Sequence, residues 1–391
     1  MELSTYFEPV NPQYLQFPFD SQMPSLGQCT NIYAQGQPFP NIEKARIALV
    51  GVTDDRMSPD NKGCALAPDA IRSMLYPLTA PVDGLQMVDL GNLVPGNTAD
   101  DTIYALSEIM YKLIERHIVV IILGGSQALT FAQYKAYEIL GRIITLLSID
   151  SRVDIFDGPL SSHTYINQIV QQKPNYLFDH VSLGYQSYFC HHRLLNLIDD
   201  LQFDAYRVGE IQQHIDKAEP TIRRADAISI DISAIRQSDA PAQSHPSPHG
   251  FFSHEICQLA RYAGMSDKLT SIGFYELNPQ FDSNHQTAHA VAHALWYFIE
   301  GVYNRRDDAP YGDPKFYQRY CVTLSDEGLE VLFYKSRKTD RWWMEVPDHR
   351  HQKDPRFLRQ LLIPCSYDDY LEALQNKLPE LWWKFYKRYN M

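Results

Sequence analysis

Eight short runs of apolar, largely β-branched residues recur along the chain, each separated from the next by a segment of helical character. They occupy 46–52, 85–90, 118–123, 143–149, 177–183, 203–208, 227–232 and 269–275. Most are hydrophobic at nearly every position instead of alternating, as strands covered on both faces must be. Parallel strands need long crossovers, and the intervening segments supply them. Ala67-Pro68-Asp69-Ala70-Ile71-Arg72 places Pro and Asp in a first helical turn. The stretch 97–117 carries Ile103, Leu106, Ile109, Met110 and Leu113 close to the 3.6-residue period. A third stretch, 284–302, is rich in Ala and His. The class is α/β; the pattern alone leaves a doubly wound sheet and a (β/α) barrel both open.

The flanks follow a different grammar. Residues 1–44 are rich in Pro, Gln, Tyr and Phe without a clear period and read as an irregular arm. The α/β pattern fills 45–304, and 305–391 forms a small α+β extension. There, 321–325 and 329–335 flank Asp326-Glu327-Gly328 as a hairpin, and 342–346 offers a third strand. Ser366-Tyr367-Asp368-Asp369 opens a last amphipathic helix that runs on to Trp382, Trp383, Phe385 and Tyr386. Trp342, Trp343, Trp382 and Trp383 make either the packed core of this appendage or a surface for a protein partner.

Composition excludes several functions. The chain carries 47 acidic and 35 basic side chains, a net charge of −12, so nucleic acid is not an expected partner. No apolar run approaches the roughly 18 residues of a membrane span. The N-terminal sequence lacks the basic-then-apolar pattern of a signal peptide. The six cysteines are scattered, without a Cys-x-x-Cys pair, which argues against zinc ribbons and disulfide scaffolds. A cytoplasmic protein that binds no membrane is the expectation.

Ligands of parallel α/β sheets bind at the carboxyl ends of the strands. The third run is followed there by Gly124-Gly125-Ser126-Gln127 and the fourth by Asp150-Ser151-Arg152-Val153-Asp154. The seventh ends in Ser229-Ile230-Asp231-Ile232-Ser233 and the eighth in Glu276-Leu277-Asn278-Pro279. Four carboxylates, Asp150, Asp154, Asp231 and Glu276, thus converge on one rim. Like charges buried together are costly without a cation or hydrogen bonds, although strand-end acids also serve simply as helix caps.

These segments, in this order, resemble the ureohydrolases: arginase, agmatinase and formimidoylglutamase. Ala48-Leu49-Val50-Gly51-Val52 and the segment from Gly63 to Arg72 match the family's opening strand and helix, and Ser162-His163-Thr164-Tyr165-Ile166-Asn167 is similar to its formimidoylglutamase branch. The resemblance implies a three-layer α/β/α fold around an eight-stranded parallel sheet, and assembly as a homo-oligomer. It also implies a pair of Mn²⁺ ions, held by two His and four Asp, that activate water against an amidine or guanidine carbon.

Carried over position by position, Asp150, Asp154 and Asp231 are kept. Gln127 and Arg152 take the places of the two histidines, and Ser233 takes that of an aspartate. Glu276 keeps the position that grips the substrate's amidine or guanidinium, and Asn167 replaces an arginine expected to hold a substrate carboxylate. With three ligands altered, one to a fixed cation, the expectation is a catalytically inactive binding or scaffold module with no cofactor. Arg152 would then bridge Asp150 and Asp154 in place of a metal. The alternative is an active C–N hydrolase with a single or atypical Mn²⁺ on Asp150, Asp154 and Asp231. Of the other histidines, His289 and His293 share a helix face but lack the Glu of a zincin motif. His245 and His249 fall in a loop near the mouth of the site.

Overall fold

The computed structural model describes residues 3–17, 22–311, 313–324, 328–348, 350 and 360–390. Its strands are β1 (Phe7–Glu8), β2 (Thr30–Ile32), β3 (Ile47–Val52), β4 (Met87–Leu93), β5 (Val119–Leu123), β6 (Ile144–Ile149), β7 (Leu177–Tyr185), β8 (Asp204–Arg207), β9 (Ala227–Asp231) and β10 (Ser271–Tyr275). A second set comprises β11 (Tyr317–Leu324), β12 (Leu329–Ser336), β13 (Trp342–Glu345) and β14 (Leu362–Cys365).

The first ten strands form one open sheet in the order β1-β4-β3-β5-β10-β9-β6-β7-β8, with β2 also on β4. Strands β3 to β10 are the eight apolar runs, all parallel. An open sheet excludes the barrel. Burial on both faces is visible along β3, where Ile47 and Leu49 point into one apolar cluster and Ala48 and Val50 into the other. Helices Ala67–Leu75, Ser253–Gly264 and Gln286–Tyr303 pack in the first cluster, and Ala99–Glu115 and Thr130–Ile139 in the second. Residues of the N-terminal arm pair along the edge of β4 away from β3, β2 parallel to Met87–Asp89 and β1 antiparallel to Asn92 and Leu93. Two- and three-residue strands leave no periodicity to read.

The C-terminal sheet is antiparallel in the order β11-β12-β13-β14. The turn residues Ser325, Asp326 and Glu327 lie outside the described residues. The final helical stretch is two helices, Tyr367–Leu374 and Glu380–Asn390. Pro379 cannot donate in a continuing helix, and Asn376 at φ +61° has already turned the chain. Trp342, Trp343 and Trp382 are buried, while Trp383 is 40% exposed. The appendage is fastened to the α/β layers by aromatic and charged contacts. Phe178 of β7 stacks on Phe385 and Tyr389, Lys384 pairs with Asp204, and Arg388 pairs with Asp179 at 2.5 Å. Among the described residues no helix is long and apolar enough to cross a membrane.

Candidate active site

Four neighbouring strands at the centre of the sheet, β5-β10-β9-β6, deliver the candidate residues from their carboxyl ends. Gln127 follows β5, Glu276 follows β10, Asp231 ends β9 and Ser233 follows it, and Asp150, Arg152 and Asp154 follow β6. The two glycines before Gln127 serve packing. A Cβ on Gly124 would lie 2.3 Å from the Tyr275 ring and one on Gly125 2.2 Å from the Asp54 carbonyl oxygen. All seven residues line one cavity of about 80 Å³, room for a few waters or a hydrated ion.

Glu276 is held hardest. Its backbone sits at φ +64°, a strained conformation for a glutamate. Ser58 Oγ donates to Oε1 at 2.5 Å, the Gln127 backbone N–H to Oε1 at 2.9 Å, and Asn61 Nδ2 to Oε2 at 3.0 Å. Burial raises its pKa, and these donors oppose the rise.

The aspartates are less well served. Asp150 Oδ1 accepts from the Arg152 backbone N–H at 2.9 Å and from Ser233 Oγ at 3.2 Å, but Oδ2 has no hydrogen-bond partner among the described residues. Asp231 Oδ1 accepts from the Ser233 N–H at 2.6 Å, so Ser233 ties the two aspartates together. Asp154 Oδ1 stands 3.6 Å from His163 Nδ1, beyond hydrogen-bond contact, and Gln127 Oε1 is likewise unpartnered. Burial, then mutual repulsion, lifts the Asp150 and Asp231 carboxyls well above the usual range; burial lifts Asp154.

Two sequence-based placements are corrected. The Arg152 guanidinium does not bridge Asp150 and Asp154; it lies over the Phe189 ring, 4.7 Å from the centroid. A half-buried cation on an aromatic face keeps part of its hydration, whereas bridging would bury it further. Asn167 does not line the cavity. It lies on the short helix Tyr165–Val170, where its amide donates to Asp157 Oδ1 at 2.7 Å.

The structure adds residues not singled out from sequence. Ser58 and Asn61 come from the loop after β3, itself a strand-end position whose polar run Asp54-Asp55-Arg56-Met57-Ser58 was the available signal. His163 reaches Asp60 Oδ2 at 3.1 Å, and the nearby Asp154 carboxylate raises its pKa to about 9. His245 and Gln243 line the cavity, as the loop position of His245 suggested, but His249 does not.

The remaining donors can be tested against a metal. Three carboxylates with a Gln amide oxygen and a Ser hydroxyl are hard oxygen ligands, suited to one Mg²⁺-, Ca²⁺- or Mn²⁺-like ion. The unpartnered oxygens of Asp150, Asp154 and Gln127 are the atoms such an ion would satisfy. They are not preassembled, since among the described residues no group of three or more His, Cys, Asp or Glu is arranged as a metal site. The fit is therefore in donor chemistry.

Fold and site together define an α/β protein of the ureohydrolase type. The Arginase family model matches residues 45–300, and the chain belongs to that family. It is similar to a formimidoylglutamase of Staphylococcus haemolyticus, 25% identical over 271 residues that cover 66% of this chain and 86% of the relative. The Staphylococcus aureus (strain Newman) formimidoylglutamase is 26% identical over 268 residues, 65% of this chain and 86% of its own. Trypanosoma cruzi formiminoglutamase, solved with Mn²⁺₂, superposes with a TM-score of 0.66 at 19% identity, covering 73% of this chain and all (100%) of that one. The Bacillus subtilis formimidoylglutamase gives 0.65 at 18% identity, covering 74% and 95%. These likenesses correct the expectation of a protein without a cofactor: the chain belongs to a family in which a fold relative is solved with manganese.

Proposed function

We propose that this chain is a ureohydrolase-fold binding protein whose pocket holds one oxygen-liganded divalent cation and does not perform two-metal amidine hydrolysis. The carrying observation is the set of buried aspartates with oxygens left over, beside an Arg152 guanidinium turned onto Phe189. Asp150, Asp154 and Asp231 would hold the ion, which supplies Lewis-acid polarisation when bound. Ser233 fixes the spacing of Asp150 and Asp231, and His163 balances the charge of Asp154. Three hydrogen bonds leave Glu276 about one of four lone-pair sites for an incoming cationic N–H group. With neutral Gln127 and Ser233, the donor set is too poor for a second ion.

The second reading is a working amidine or guanidine C–N hydrolase with a single metal. Glu276, retained and strained at φ +64°, favours it. Calorimetric titration with Mn²⁺, followed by assay of formimidoylglutamate hydrolysis, separates the two. One bound ion without turnover is expected; two ions, or none, or turnover would overturn the proposal. The resemblance also supports self-association, which light scattering of a clean monomer at high concentration would contradict.

A further inference from the structure

A second cavity, of about 390 Å³, lies where the C-terminal sheet meets the α/β layers. That is within the range of small-ligand sites. One wall is apolar: Trp343 of β13 and Leu362 and Pro364 of β14. The other walls carry charged groups, most of them already occupied. Lys268 Nζ donates to the Arg224 carbonyl at 2.7 Å and to Gln360 Oε1 at 2.9 Å, and faces Asp226 at 3.2 Å. Asp308 is taken by Thr339 and lies 3.5 Å from Arg341 Nη1.

Two groups of opposite sign are incompletely satisfied. Arg223 is only 4% exposed. Its Nη2 donates to the Trp342 carbonyl at 3.2 Å, its Nε faces Glu219 at 3.0 Å, and its Nη1 has no hydrogen-bond partner among the described residues. Glu219 is shared with Arg341 Nε at 3.0 Å, so it neutralises neither guanidinium fully. The Arg223 guanidinium is stacked 4.3 Å over the Trp343 ring, which fixes its plane. Asp267 uses Oδ2 to accept the Asp308 N–H at 2.8 Å, while its Oδ1 is buried and has no hydrogen-bond partner among the described residues. A buried donor or acceptor left without a partner is costly, and more so when the group is charged. Arg223 and Asp267, each with hydrogen-bonding capacity left over, line one cavity that also has an apolar wall, and such a pair is complementary to a molecule bearing both charges.

We propose that this junction cavity binds a small amino-acid-like zwitterion, with its carboxylate on Arg223, its ammonium on Asp267, and an apolar side chain against Trp343, Leu362 and Pro364. Because the cavity is shared by the two sheets, its occupant would strengthen the attachment of the C-terminal extension. Burial lowers the pKa of Arg223 although Glu219 and Asp308 oppose the fall, and burial with the neighbouring Asp308 carboxylate raises that of Asp267 although Arg305 opposes the rise.

Equilibrium dialysis of the full chain with L-phenylalanine, phenylacetate and phenethylamine tests this, the latter two each lacking one charge. Saturable binding of L-phenylalanine is expected, weaker by about tenfold or more for either analogue. Asp267→Asn keeps an oxygen for the Asp308 N–H and should weaken L-phenylalanine by a similar factor. Arg223→Gln should do the same, and if that variant fails to fold, the analogues and Asp267→Asn still decide. Absence of saturable L-phenylalanine binding up to about 10 mM, or equal binding of all three compounds, overturns the proposal. Added Mn²⁺ should leave the affinity unchanged, and competition between them would place the ligand in the strand-end pocket instead.

Discussion

Around Arg72 each guanidinium nitrogen has an acceptor, whereas around Asp150 oxygens are left over. Arg72 is fully buried on its helix against β4. Its Nε and Nη2 meet the two oxygens of Asp89 at 2.8 and 2.9 Å, Nη1 meets Asp69 at 3.0 Å, and Nη2 also donates to the Gly91 carbonyl at 2.9 Å. Tyr76 donates its hydroxyl to Asp89 as well. At the strand ends, Asp150, Asp154 and Asp231 crowd one cavity with His163 3.6 Å from Asp154 and an Arg152 whose guanidinium lies on Phe189. Buried charge that serves architecture is neutralised by the chain itself. Buried charge left unsatisfied marks where something external is to bind.

Breaking the satisfied cluster should have the largest effect. Arg72→Met strands Asp89 without its counter-charge and is expected to cost about 3–5 kcal/mol in urea unfolding. A loss below about 1 kcal/mol would show that the two clusters do not differ as described.

A third kind of buried group, kept neutral, extends the comparison. His180 on β7 is held by burial at a pKa of about 4. The unfolded chain binds this proton below about 6.5 and the folded chain does not, so stability is full above 6.5 and falls as pH drops toward 4. The expected loss is on the order of 3 kcal/mol. It should be missing from the pH profile of His180→Asn; superimposable profiles would refute the assignment.

The unsatisfied cluster should respond in the opposite sense. Folding raises the pKa of its carboxyls, so the metal-free protein loses stability as pH climbs above their ordinary range. Asp231→Asn should therefore stabilise metal-free protein at pH 7, by about 1–2 kcal/mol, while abolishing thermal stabilisation by Mn²⁺. Destabilisation in the absence of metal would place Asp231 with the architectural charges.

The smallest effect belongs to Arg152. Its guanidinium rests on Phe189, so Arg152→Ala should shift stability by about 0.5–1 kcal/mol at most. A loss of several kcal/mol would mean that it neutralises the aspartates after all.

The eight parallel strands were legible because most are buried on both faces and are written as nearly continuous apolar runs, with β8 (Asp204–Arg207) the least buried of them. Asp150, Asp154, Asp231 and Glu276 were legible because strand ends can be located once strands are. Arg152 was not: its direction depends on Phe189, a neighbour after β7 that only the tertiary structure supplies. Ser58, Asn61 and His163 were missed for a related reason. They lie in loops whose polar residues look alike until folding selects those that face Glu276 or Asp154. The break at Pro379 was visible in the sequence and was outweighed by the apolar pattern around it.

Anomalous diffraction at the manganese edge, from crystals of the unmodified chain grown with Mn²⁺, tests the central claim most directly. One peak among Asp150, Asp154 and Asp231 is expected, with the Arg152 guanidinium still on Phe189. Two peaks would show a working binuclear donor set, and no peak would show that the leftover oxygens do not mark a cation site.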